Sequence, residues 1–135
     1  MQLKKVKAFK NRLRYYSFLK DDIHSLEQMI EDTYDRLGGV RGVDPSKEPM
    51  HSPPDKDMEY KLRDLISGLE ATLGRRNAEK AEIDEILGKM ETPVREAVIS
   101  VYVEGNTIAS VASRMYLSHT GLMKRMNREI KKALD

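Results

Sequence analysis

From Leu3 to Leu37 apolar side chains return every three or four residues: Leu3, Val6, Phe9, Leu13, Tyr16, Leu19, Ile23, Leu26, Ile30 and Leu37, with Thr33 in the remaining slot. A strand repeats every two residues and a helix every 3.6, so only a helix gathers this whole set on one side. A helix of roughly ten turns with one apolar stripe needs something to bury it against. The pattern ends at "GGVRGVDPSKEPMHSPPD" (38–55), which holds four of the five prolines and three of the eight glycines and reads as an irregular connection. A second seam follows at Met58, Leu62, Leu65, Leu69 and Leu73, weakens through Arg75 to Lys80, and resumes at Ile83, Ile86, Leu87 and Met90. Two seamed helices around one loop predict an antiparallel helical hairpin over residues 1–90, with its loop at about 38–55, serving interaction or oligomerisation.

Charge supports that orientation. Lys4 to Lys20 contains seven bases and no acid, whereas Asp21 to Asp35 contains six acids and no base. Folding back at the loop sets the acids against Lys61, Arg63, Arg75 and Arg76, and the bases against Glu79, Glu82, Asp84 and Glu85; parallel packing would oppose like charges. Each exposed pair is worth at most about 1 kcal/mol, so such pairs choose orientation while the seam supplies stability. On this reading the basic N-terminal face is solvated and paired within the hairpin, in preference to forming a second nucleic-acid surface.

Composition narrows the rest. In 135 residues, 39% hydrophobic, 34% charged and 6% aromatic without Trp, an all-α fold is favoured over a β-rich one. With no Cys there are no disulfides, thiolate metal sites or thiol nucleophiles, which fits a reducing cytoplasm. No apolar run is long enough for a bilayer, and "MQLKKVKAFKNRLRYY" lacks the apolar stretch of a signal peptide, so a cytoplasmic protein without a membrane partner is expected. His24, His51 and His119 fall in separate segments; His24 and Glu27, one turn apart, are too few for a metal site. "GGVRG" (38–42) lacks the GK[ST] ending of a phosphate loop, and no serine sits in a G-x-S-x-G elbow. The chain is therefore expected to be neither an enzyme nor a holder of a metal or other cofactor.

The last third is the most informative. Thr92 before Pro93 marks a helix start, with the threonine as N-cap, and that helix is expected to reach about Glu104 with Val94, Ala97, Val98 and Val101 inside. Gly105 supplies the left-handed residue that ends it. Thr107 caps the next helix, whose inner stripe is Ile108, Val111, Ala112 and Met115. A turn through Tyr116 and Leu117 leads to Ser118, N-cap of a third helix with Leu122, Met126, Ile130 and Leu134 inside. Residues 91–135 thus read as a helix-turn-helix DNA-binding domain. Outside the third helix remain His119, Thr120, Met123, Lys124, Asn127, Arg128 and Lys131, with Arg125 on the flank. This is a basic, hydrogen-bonding surface suited to base edges and phosphates, and Ser118 opens it. Gly121 either permits close backbone approach or is a neutral surface glycine.

Pro93, "YVEG" (102–105), Thr107, "VA" (111–112), "LS" (117–118), Leu122, Arg125 and "KKAL" (131–134) together resemble region four of bacterial sigma factors. That family usually has Gly where this chain has Tyr116, so the resemblance implies either a differently opened turn or an unusual backbone at Tyr116. With the long N-terminal helix, the Gly/Pro loop and "YLSHTGLMKRMNREIKKAL", the chain resembles the ArpU and RinA-like late-gene regulators of phages and prophages. The resemblance implies a sequence-specific DNA-binding transcriptional activator, working on double-stranded DNA beside host RNA polymerase, in the bacterial cytoplasm. Self-association through the hairpin, as a homodimer, is left open. Two other classes fit the same residues: a small terminase-like DNA-packaging subunit, distinguished by ring stoichiometry, and a helical adaptor that does not touch DNA.

Overall fold

The computed structural model describes residues 2–41 and 56–135, and every described element is helical, without a strand among them. In chain order they are α1 (Gln2–Arg14), α2 (Tyr16–Arg41), α3 (Lys56–Gly88), α4 (Val94–Val98), continued by a π-helical turn at Ile99–Val103, α5 (Ile108–Arg114) and α6 (His119–Leu134). The expected all-α class is what the chain adopts. Helix α2 runs through Gly38 and Gly39, into the stretch expected to be loop, and residues 42–55 of that stretch lie outside the described residues. The long N-terminal helix is interrupted once: Tyr15 N–H donates to Arg12 C=O, three residues back, before Leu19 N–H resumes the four-residue step at Tyr15 C=O.

The chain divides into two compact units, residues 1–20 with 78–135, and residues 21–77. This division differs from the expected one of 1–90 and 91–135.

Within 21–77, Leu37, Leu62 and Ile66 form a buried cluster, and Ile23, Leu26 and Thr33 are buried as well. Thr33, the polar residue in the seam, donates its hydroxyl to the Met29 carbonyl at 2.6 Å, which satisfies a group that burial would otherwise leave stranded. Arg76 meets Asp22 at 2.9 Å and Tyr34 donates to Glu70 at 2.9 Å, so later positions on α2 face earlier ones on α3, the antiparallel order that the charge blocks imply. The seam of α3 differs from the expected one. Leu65 is 45% exposed and Met58 39%, while Ile66 is buried. Leu62 and Ile66 stand one turn apart on the side of Leu37, and Leu65, one residue earlier, is carried about 100° around the helix.

In the unit of 1–20 and 78–135, Phe9, Leu13, Ile83, Val98, Leu122, Met126 and Ile130 are the large side chains sealed from solvent, with Val6, Leu87, Met90, Val94 and Tyr102 around them. Helix α1 packs on α6 and on the π-turn, and α6 also packs on α4 and α5. The core of the C-terminal helices is therefore completed by α1. Leu3, placed on the same seam, is 79% exposed. Arg12 pairs with Glu82 at 3.1 Å, and Tyr16 donates to Asp84.

Three local expectations are corrected here. Pro93, and not Thr92, occupies the N-cap of α4 without a side-chain cap bond; the Thr92 hydroxyl accepts from Arg95 at 3.1 Å. Val101 is half-buried and Tyr102 takes the interior place, because the i→i+5 bonding of the π-turn adds residues to the turn after Val98 and shifts the phase. Leu134 is half-buried, and Ala133 closes the inner stripe of α6.

Candidate nucleic-acid interface

Caps and turns set the pose of α6. Thr107 accepts from Ser110 N–H at 3.1 Å and Ser118 accepts from Gly121 N–H at 2.9 Å, so both helices begin where a hydroxyl satisfies a first-turn donor. At the end of α5, Leu117 N–H bonds Ala112 C=O at 2.9 Å and Tyr116 N–H bonds Ser113 C=O at 3.2 Å. Those are the two bonds of a Schellman motif, which puts its C′ residue in the left-handed region. Tyr116 is that residue, with φ 58°, and its side chain is 97% exposed. Gly105, just past the preceding π-turn, is also left-handed, with φ 79°. For Gly121 the structure supplies a local reason: a Cβ there would stand 2.9 Å from the Ser118 Oγ that caps the helix.

With Leu122, Met126, Ile130 and Ala133 turned inward, Ser118, His119, Thr120, Lys124, Arg125, Arg128 and Lys131 are exposed, on the outer side where the sequence pattern places them. None of the bases among them has an ion-pair partner among the described residues. Met123 and Asn127 do not belong wholly to that surface. Both are half-buried: Met123 Sδ lies 4.0 Å from the Tyr102 hydroxyl, and Asn127 Oδ1 is fully buried with no hydrogen-bond partner among the described residues. Helix α6 has neighbours on more than one side, so its outward surface is narrower than a single inner stripe suggests.

The structure also gathers cations that the sequence reading assigned to the hairpin. Lys10 Nζ lies 5.1 Å and the Arg14 guanidinium 5.7 Å from the centre of the Tyr102 ring. Of the bases between Lys4 and Arg14, Arg12 alone pairs with a carboxylate among the described residues. The legible signal was the acid-free run itself. By sequence count, the unit of 1–20 and 78–135 holds 16 Lys and Arg against 9 Asp and Glu, a net +7, while 21–77 holds 8 against 13, a net −5. The chain's overall +2 conceals this division.

The Tyr16 and Asp84 pair ties the first turn of α2 to α3. Burial pushes the Tyr16 hydroxyl above its ordinary value, and its hydrogen bond and charge contact with Asp84 add to this. Burial alone would raise Asp84, but hydrogen bonds from Lys80 and Tyr16 and the charges of Lys80 and Lys20 outweigh it and hold the carboxyl below its ordinary range. Among the described residues no three histidine or carboxylate side chains gather into a set able to hold a metal ion, and no helix is long and apolar enough to cross a membrane. No protein-family model matches the chain, and no curated protein or solved structure matches it.

Proposed function

We propose that the protein is a sequence-specific regulator of transcription that binds double-stranded DNA through the exposed side of α6. The observation that carries this reading is the arrangement of that helix. It is capped by Ser118, held by a buried stripe, preceded by the α5 turn, and presents His119, Thr120, Lys124, Arg125, Arg128 and Lys131 to solvent with no carboxylate paired to them among the described residues. A helix inserted into the major groove needs those features: a fixed pose, hydrogen-bonding groups at its first turn for base edges, and cations for the flanking phosphates. His119 and Thr120 take the base edges and Lys124, Arg125, Arg128 and Lys131 the phosphates or guanine. The resemblance to sigma region four and to phage late-gene regulators points the same way and adds host RNA polymerase as the second partner.

The test is fluorescence anisotropy of a labelled mixed-sequence DNA duplex titrated with full-length protein at several salt concentrations, followed by selection of preferred sites from a random pool. Logarithmic affinity should fall linearly with logarithmic salt, by about 0.9 per phosphate neutralised. A reporter assay on the selected site then asks whether binding activates transcription. Absence of salt-sensitive duplex binding would sink the proposal and favour an adaptor that does not touch DNA. Binding without activation would move it toward repression or packaging.

A further inference from the structure

We infer that the DNA surface is built from two helices remote in sequence, and that Lys10 and Arg14 of α1 form a second phosphate-binding element beside α6. This rests on the proposed DNA-binding reading and extends it to a surface that the C-terminal helices alone lack.

Three observations carry it. Lys10 and Arg14 stand one turn apart on α1 and both lie over the ring of Tyr102, a 5% exposed residue whose hydroxyl reaches Met123 of α6. The two cations are thus separated from α6 by one tyrosine side chain. Second, like charges at i and i+4 repel, by a few tenths of a kcal/mol in an isolated helix, and no carboxylate among the described residues offsets them. Arg14 is instead braced by Asn11 Oδ1 at 2.6 Å, and the face of the Tyr102 ring receives both charges. This contrasts with Arg12 on the neighbouring flank of the same helix, which is matched to Glu82. Third, α1 belongs to the same compact unit as α6, the one with net charge +7, so its cations have a fixed place relative to the recognition helix.

A cluster of cations that is held in place and left without acids gains most from a polyanion. Lysine and arginine at these positions suit phosphate contacts, which strengthen binding equally on every sequence.

The experiment compares full-length protein with the double variant Lys10→Gln/Arg14→Gln and the charge-keeping variant Lys10→Arg/Arg14→Lys. Each is titrated with an A·T-rich and a G·C-rich DNA duplex across a salt series, with helical content and melting recorded. The glutamine variant should flatten the salt slope by about 1.8, two phosphate contacts' worth, and weaken both duplexes by the same factor, while the charge-keeping variant retains the wild-type slope. An unchanged slope in the glutamine variant, with Lys124→Ala/Arg128→Ala still impairing binding, would overturn the α1 element and leave the α6 reading intact. A loss confined to one duplex would overturn the phosphate assignment. If the wild-type protein shows no salt-sensitive duplex binding, both proposals fall together. Lys10→Glu/Arg14→Glu gives an independent reading: it should weaken binding beyond the glutamine variant, and equal binding by the two would count against electrostatic contact.

Discussion

The two compact units differ in both core and charge. In the unit of 1–20 and 78–135, Phe9, Leu13, Val98, Leu122, Met126 and Ile130 are at most 2% exposed, where α1, α4 and α5 all pack on α6. In 21–77 the best-buried residues, Leu62, Thr33, Leu37 and Ile66, keep 3–5% exposure. Two helices offer each other one stripe apiece, whereas a helix with neighbours on several sides can seal its whole inner face. The charge contrast, +7 against −5, is why the proposed DNA surface falls on the well-packed unit. A helix that docks on DNA must keep its pose against the pull of the phosphates, and a dense core supplies that rigidity.

If stability and duplex binding share one unit, cutting its core should remove both. A fragment of residues 92–135 lacks Val6, Phe9, Leu13, Ile83 and Leu87 and is expected to lose its fold, seen as low helicity by circular dichroism; a cooperatively melting fragment would show that α1 is dispensable. In the intact chain, Phe9→Ala or Leu13→Ala should cost about 3–5 kcal/mol in chemical denaturation. The corresponding test in the other unit concerns register. Ile66→Asp should destabilise by a few kcal/mol through an unpaired buried charge, whereas Leu65→Asp, at an exposed position, should change stability by less than about 0.5 kcal/mol. Equal effects at 65 and 66 would contradict the observed face of α3. Duplex affinity measured below the melting transition should survive Ile66→Asp, since the basic surface lies in the other unit.

Smaller effects sharpen the contrast further. Lys124→Ala/Arg128→Ala should reduce duplex affinity at least about ten-fold with an unchanged melting temperature, because both side chains are exposed on the far side of α6 from Leu122, Met126 and Ile130. Tyr116→Gly should raise stability by up to about 1 kcal/mol. Glycine occupies the left-handed C′ position without the penalty a side chain brings, although part of the gain is offset by a freer unfolded chain. If the same variant weakens duplex binding, the exposed ring serves the interface; if affinity holds, the residue is strained for no gain in binding.

The smallest expected effect is a pH dependence. Asp84 titrates below its ordinary value in the folded chain, so its contribution is present above the ordinary carboxylate range and is lost as pH falls through the lower folded value. The side chain is 42% exposed, so the change should be slight. Denaturation of wild type and Asp84→Asn should therefore converge as pH falls toward the lower folded value. A difference that persists or grows under acid would mean that charge at Asp84 is not what holds Tyr16 and Lys80.

Helical class, caps and turn positions were written in the local sequence. Thr107 and Ser118 cap their helices because a hydroxyl three residues before a free N–H needs no distant partner, and Gly105 and Tyr116 turn left-handed because helix ends require it. The inner stripe Leu122, Met126 and Ile130 follows from the 3.6-residue repeat alone. Other features followed from backbone bonding and packing that periodicity does not report. The π-turn replaced Val101 with Tyr102 in the interior, and contacts with Tyr102 and neighbouring helices drew Met123 and Asn127 partly out of the solvent face. Only the tertiary structure decided that α1, more than 100 residues before α6 in sequence, completes its core and sets Lys10 and Arg14 beside it. Periodicity reports which side of a helix is apolar, but the identity of the helix that covers that side is a property of the folded chain.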